Sequence, residues 1–241
     1  MNKNIGNDIN MKVIARIRTD FATKFGIPRQ SGVVEELVGK IVFEPEYRNA
    51  DALRGLEGFD YLWLIWQFSK AVRDKWSPTV RPPILGGNTR MGVFATRSPF
   101  RPNAIGLSSV KLDRMELKTE EGPVIYVKGA DLMDNTPILD IKPYLAYVDS
   151  HPEAKQGFRG EGWQRQLEVN FPEALKAKAE KLIDSAAGDN QLAGLMGVLA
   201  NDPRPTYQED PQRIYGMEFG GIEVKFQVKE KQLTVTAVEK I

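Results

Sequence analysis

The sequence predicts a mainly β protein, with an N-terminal barrel or strongly curved sheet followed by a small α+β domain. Two observations carry this expectation. Short segments rich in branched and aromatic residues recur through residues 1–150, separated by structured turns containing Gly and Pro. In residues 163–241 the apolar spacing becomes helical and then returns to strict alternation near the end. The 241 residues, 41% hydrophobic and 27% charged, are enough for one substantial core and a smaller appended domain. A smaller mixed sheet with irregular crossovers is the alternative architecture.

Alternation of Val13, Ala15 and Ile17 predicts an early strand, followed by a polar loop through Phe25, Pro28 and Gly32. A second apolar stretch runs from Val33 to Phe43 and includes Leu37, Val38, Ile41 and Val42, and Tyr47 to Leu56 predicts a short helix and turn rather than a strand. Phe59 to Phe68 predicts a buried strand carrying Trp63 and Trp66, which stand three apart and so face opposite sides of a sheet. Met91 to Ala95, Leu107 to Leu117, Val124 to Lys128 and Ile138 to Ile141 supply further strands, the last interrupted by Pro143.

Residues 151–162 form a connector in which Pro152, Gly157, Gly160 and Gly162 break any regular element. Beyond it, Pro172 opens a helix whose face carries Leu175, Ala179, Leu182 and Ile183. Leu192, Leu195, Met196 and Leu199 mark a second helix. Val224, Phe226 and Val228 alternate with charged and polar residues to give a half-exposed strand, and Leu233 to Val238 pairs with it.

Composition excludes several chemistries. Without cysteine there are no disulfides, thiolate nucleophiles or Cys-based metal sites, which fits a cytoplasmic protein. One histidine, His151, rules out a His-dominated metal cluster within a subunit, and it reads as a loop residue before Pro152. No metal is expected. No apolar run approaches the length of a membrane span, and Met1 to Asn10 lacks the apolar stretch of a secretory signal. The expected protein is therefore soluble and intracellular.

The net charge of +1 hides an uneven distribution: from Lys75 through Leu112 there is no Asp or Glu, while Lys75, Arg81, Arg90, Arg97, Arg101 and Lys111 accumulate. Prolines and glycines in the same stretch restrict the backbone and permit close ligand approach. These arginines can hold phosphate or carboxylate through paired donors, or form a solvated basic face. Neither a Walker sequence nor a strand followed by G-x-G-x-x-G is present. In the second concentrated segment, Asp134 and Asn135 can shape a turn whose exit Pro137 restricts. Asp140 can accept a proton or pair with Lys142, and Tyr144 can stack on a base or close the core.

The residues GGNTRMGVFATRSPFRPNAIG and DLMDNTPILDIKPY resemble the TsaA-like (TrmO) tRNA methyltransferases. Arg29 after Pro28, Arg54-Gly55-Leu56 and Trp63 match the approach to that core. Asp202-Pro203-Arg204-Pro205-Tyr207 and Tyr215-Gly216 resemble the C-terminal extension of the bacterial form. The resemblance covers nearly the whole chain. Ala104 and Asn135 depart from it, standing where proline and glycine are commoner; Asn still favours a turn and visits the left-handed region.

The resemblance implies a β-barrel-type domain that binds S-adenosyl-L-methionine and methylates N6 of threonylcarbamoyladenosine at tRNA position 37, especially in threonine tRNAs. It also implies a homodimer with the donor sites near the subunit contact. By the same resemblance, Arg90, Gly92, Phe94, Arg97, Asp134, Thr136, Pro137 and Lys142 are expected at the donor, and Arg29, Arg97, Arg101, Asn103 and Tyr144 at the tRNA. Asp140 is the first candidate to accept the N6 proton, ahead of Asp134, with Tyr144 beside them. A small-molecule methyltransferase using the same donor, or a noncatalytic RNA-binding module, are the competing readings.

Overall fold

The computed structural model describes residues 9–71, 75–159, 166–185, 187, 191–205 and 210–241. Six strands close into an antiparallel barrel: β1 (Ala15–Arg18), β2 (Val38–Phe43), β3 (Tyr61–Gln67), β6 (Ile105–Glu116), β7 (Val124–Lys128) and β8 (Thr136–Pro143). Their spatial order is β1-β2-β7-β6-β3-β8, and β8 returns to β1 with Ala15 opposite Ile138. Alternation along each strand sends Ile17, Ile41, Leu62, Leu64, Ile125 and Ile138 into the interior, where all are fully buried. Trp66 also points inward while Trp63 faces outward, as their odd spacing requires. The Trp66 indole lies across Gly106 on the neighbouring strand, and no side chain fits beneath it.

Differences from the sequence expectation have local causes. Only Met91–Gly92 (β5) is extended, paired with Thr79–Val80 (β4) in a two-stranded ribbon; Val93–Ala95 curls into a 3-10 turn. Its apolar content serves to bury Val93 rather than to extend a ladder. The short helix and turn expected at Tyr47 to Leu56 is present, as 3-10 helices at Pro45–Tyr47 and Ala50–Leu53. Pro143 does not break β8: it occupies the strand's last position, where its missing N–H is easily tolerated.

A four-residue helix, α1 (Ala146–Asp149), follows the barrel. The C-terminal unit is a sheet ordered β10 (Tyr215–Phe219), β11 (Ile222–Lys229), β12 (Gln232–Lys240), β9 (Glu168–Asn170), with α2 (Glu173–Leu182) packed against β12 and α3 (Gln191–Ala200). Val224, Phe226 and Val228 are buried on one face of β11, matching their alternation. Of the proposed connector, residues 160–162 lie outside the described residues, as does Tyr207.

The segment between β1 and β2 is not an idle loop. Phe21, Val34 and Leu37 leave the barrel and enter the core formed by Met217, Phe219, Leu195 and Leu199. Phe21 meets Phe219 edge-on, with ring centroids 5.5 Å apart. Val34 and Leu37 are thus committed to a core other than the barrel's, and β2 begins only at Val38. No helix among the described residues is long and apolar enough to cross a membrane. If this segment locks the two units together, Phe21→Ala will cost about 3–5 kcal/mol and keep a single cooperative transition in urea. A loss below about 1 kcal/mol would show that the junction contributes little to folding.

Candidate functional site

Antiparallel connectivity gathers distant motifs at one end of the barrel. β1, β3 and β7 finish there at Arg18, Gln67 and Lys128, and β2, β6 and β8 begin there at Val38, Ile105 and Thr136. The connections 19–37, 68–104 and 129–135 therefore share one mouth, and with them the Arg29 loop, the basic Gly-Pro segment and the Asp131–Asn135 turn.

Asp131 links these segments. Trp66 Nε1 donates to Ser108 Oγ at 3.0 Å, and Ser108 in turn donates to Asp131 Oδ1 at 2.6 Å. The backbone N–H of Ser31 also donates to this carboxylate, and the positive charge of Arg97 acts on it. Arg97 donates from Nη1 to Gln30 Oε1, tying the basic segment to the first loop. Backbone bonds reinforce the junction: Gly32 N donates to Gly129 O at 2.9 Å and Gly129 N to Leu37 O at 2.8 Å. Gly129 has φ 72°, and an added Cβ would lie 3.0 Å from Gly32, so both its conformation and the close approach call for glycine. Burial pushes the Asp131 carboxyl above its ordinary value, against the opposing pull of Ser108, its own N–H, Arg97 and Ser31.

The turn beyond it is held just as firmly. Asp134 Oδ1 accepts from Thr19 N at 3.1 Å, Asp134 N donates to Phe21 O at 2.8 Å, and Asn135 N donates to Ile17 O at 2.9 Å. Asn135 sits at φ 65°, the left-handed conformation that its side chain tolerates better than most. Thr136 Oγ1 donates to Met133 O at 2.7 Å, and buried Pro137 stands opposite Arg16 on β1. Asp134 thus already fixes backbone, while the carboxylate retains further acceptor capacity.

In the basic segment, buried Val93 anchors the 3-10 turn and leaves Phe94 71% exposed. Arg90 Nη1 donates to Thr79 Oγ1 at 3.1 Å across the ribbon, carrying Gly92 with it, and Arg101 Nη1 donates to Thr96 O at 3.3 Å. A cleft of about 320 Å³ opens beside the mouth, lined by Met11, Gln67, Lys75, Trp76, Arg101 and Asn103 among others. Arg29 reaches away from it, donating to the backbone oxygen of Arg204 at 3.3 Å. Arg204 is itself buried in a two-bond ion pair with Asp202, at 2.8 and 2.9 Å.

The remaining sequence candidates lie elsewhere in the same chain. Asp140 and Lys142 are on the outer face of β8 and pair with each other at 3.0 Å. Tyr144 follows the end of β8, eight residues beyond Thr136; at about 3.3 Å per residue it is about 26 Å along the strand direction. Its ring packs against Trp63 and Tyr61, with centroids 5.5 and 6.2 Å away. Trp63 Nε1 donates to Asp149 Oδ2 at 2.9 Å, closing that opposite end. The sequence reasoning did not single out Asp131, Ser108, Gln30, Ser31 or Trp66 as site residues. A signal existed for Ser108: it shares the inward parity of Gly106 and Val110, and a polar side chain there needs a buried partner.

Comparison with known proteins decides the family. The model of the tRNA-methyltransferase O N-terminal domain matches residues 16–150, and that of the TrmO C-terminal domain matches residues 164–241. The chain belongs to the TrmO family. It is 40% identical over 231 residues to an Escherichia coli protein named tRNA (adenine(37)-N6)-methyltransferase, covering 94% of this chain and 96% of that one. A protein of the same name from Eikenella corrodens is 44% identical over 180 residues, covering 75% of this chain and 97% of its own. The crystal structure of TrmO from Pseudomonas aeruginosa superposes with a TM-score of 0.76 at 28% identity, covering 99% of this chain and 100% of that one.

The Asp131 environment has a measurable sign. A carboxyl whose value is raised on folding gives stability that is present below the ordinary carboxylate range and lost as pH rises through the raised value. Asp131→Asn, which carries no titration, will therefore gain stability relative to the unsubstituted protein as pH is raised from about 4 to about 7. Urea midpoints across that range check it; a difference independent of pH would contradict the desolvated carboxylate.

Proposed function

We propose that this TrmO-family protein transfers a methyl group from S-adenosyl-L-methionine to N6 of adenine 37 in tRNA, on a base already carrying the threonylcarbamoyl group. The observation that carries the reading is the union, at one barrel end, of three sequence-distant loops within a chain matched to the TrmO models over both of its parts. The Escherichia coli relative, whose name states N6-methylation of adenine 37 in tRNA, aligns with 94% of this chain.

The mouth suits the donor. Its amino-acid end presents an ammonium and a carboxylate; here the desolvated Asp131 carboxylate, held largely by neutral donors, stands near the Arg97 guanidinium. S-adenosyl-L-methionine supplies an electrophilic methyl group on a cationic sulfur, so the chain's task is alignment and exclusion of water. Arg97 and Asp131 hold the donor's charged end, while Asp134, Thr136 and Pro137 shape the wall against which it lies. Arg90, Arg101 and Asn103 serve the tRNA side, while Arg29, which donates to the backbone oxygen of Arg204, braces the neighbouring loop.

Asp140, on the outer face of β8, and Tyr144, beyond the far end of that strand, are assigned to the mouth of a partner chain rather than to their own. They share the outer barrel face with Tyr61 and Leu107, which are 41% and 54% exposed. That apolar surface supports a homodimer in which Asp140 of one chain accepts the N6 proton at the mouth of the other. Light scattering at assay concentrations checks the dimer; a fully active monomer would contradict it.

Single-turnover assays on matched tRNAs with and without the threonylcarbamoyl group, followed by nucleoside mass spectrometry, test the reaction. N6-methylation at least tenfold faster on the modified tRNA is the expected result, about 1.4 kcal/mol of discrimination. Equal rates would overturn the acceptor specificity, and no methylated adenosine would overturn the reaction itself.

A further inference from the structure

Two of the largest exposed side chains among the described residues are neighbours. Trp76 is 50% exposed and Phe94 71% exposed, yet their rings lie 6.2 Å apart at an interplanar angle of 26°, a stacked arrangement open to solvent. The backbone imposes it. Val93 N donates to Pro78 O at 3.0 Å and Ser77 N to Phe100 O at 3.3 Å, which brings the 75–80 segment against the 93–100 segment. With Val93 buried as the anchor of its 3-10 turn, Phe94 is turned outward.

The surroundings select the occupant. Trp76 lines the cleft beside the mouth with Lys75, Arg101 and Asn103. From Lys75 to Leu112 the chain has no acidic residue, so cations flank these rings without carboxylates on the same segment to neutralise them. A second copy of this surface would bring like charges together, whereas a single-stranded polyanion offers both flat bases for the rings and phosphates for the cations. The base faces of a paired duplex are hidden, and a small donor molecule does not need a platform outside the mouth.

We propose that Trp76 and Phe94 form a stacking platform for unpaired bases of the anticodon loop beside the target adenine. Lys75 and Arg101 hold the adjoining phosphates. The platform rests on the tRNA reading given above and adds to it a means of gripping the loop that requires no base-edge recognition. Its contribution is to RNA affinity, separate from the capture of the methyl donor, so Phe94, stacked on Trp76, moves from the donor set that the resemblance implies to the RNA surface.

The test compares Trp76→Ala, Phe94→Ala and Trp76→Phe in the full-length protein. Equilibrium binding is measured with an anticodon stem-loop RNA and with a paired RNA duplex of equal length, alongside calorimetric titration of S-adenosyl-L-methionine and light scattering. The two alanine variants are expected to bind the stem-loop about ten- to hundredfold more weakly, with duplex binding, donor affinity and mass unchanged. Trp76→Phe keeps a stacking ring and should stay near the unsubstituted protein, which separates stacking from a folding defect. Loss of donor affinity in Phe94→Ala with intact stem-loop binding would place that ring at the donor and overturn the platform. A fall in mass in either alanine variant would make the pair a subunit contact and overturn it as well. The reaction can fail independently: a chain that shows the stacking signature but transfers no methyl group keeps the platform and loses the proposed activity. Unchanged stem-loop binding in both alanine variants, with methylation intact, does the reverse.

Discussion

The arrangement of the mouth depends on a desolvated carboxylate. Asp131 receives the Ser108 hydroxyl, the Ser31 N–H and the field of Arg97, so strand β6 and all three mouth segments converge on one side chain. A buried charge is tolerated only where donors compensate for lost water. That condition fixes the geometry: moving any segment away removes a donor from a group that needs it. Trp66, donating to Ser108 from inside the barrel, ties this network to the core, and Gly106 leaves the room in which the indole lies. Barrel packing is thereby coupled to the positions of Arg97 and Gln30.

The C-terminal unit acts on the same region from behind. Its core accepts Phe21, Val34 and Leu37, the flanks of the loop that bears Arg29 and Ser31. The buried Asp202–Arg204 pair holds the backbone oxygen to which Arg29 donates. A buried pair of this kind contributes more to a specific geometry than to net stability. The extension therefore supports the first mouth loop, in addition to any contact it makes with RNA.

Much of the architecture was legible in the chain because alternation reports which side of a strand is buried. Ile17, Leu62, Leu64 and Phe226 fall where their period places them. The apolar stretch Val33 to Phe43 divides for a physical reason: apolarity says that a side chain is buried but not in which core, and Val34 and Leu37 enter the C-terminal core before β2 begins at Val38. Met91 to Ala95 misled on the same point, its valine serving as an anchor for a turn. At the site, the clustering of arginines and the Asp134–Asn135 turn could be read from composition and local turn chemistry. The Ser108–Asp131 link could not, since it joins residues from different strands and depends on barrel closure. Nor could linear order separate Asp134 from Asp140, which lie six residues apart but occupy a mouth and an outer face.

Hydrogen exchange with and without S-adenosyl-L-methionine, resolved by mass spectrometry to short peptides, tests most directly whether the three segments form one donor site. The account predicts that the donor slows exchange together in peptides covering 28–32, 93–101 and 131–136, because each contributes to a network centred on Asp131. The 44–60 segment at the opposite barrel end should stay unchanged. Protection confined to one of the three segments, or appearing at the Trp63 and Asp149 end while the mouth exchanges as before, would contradict it.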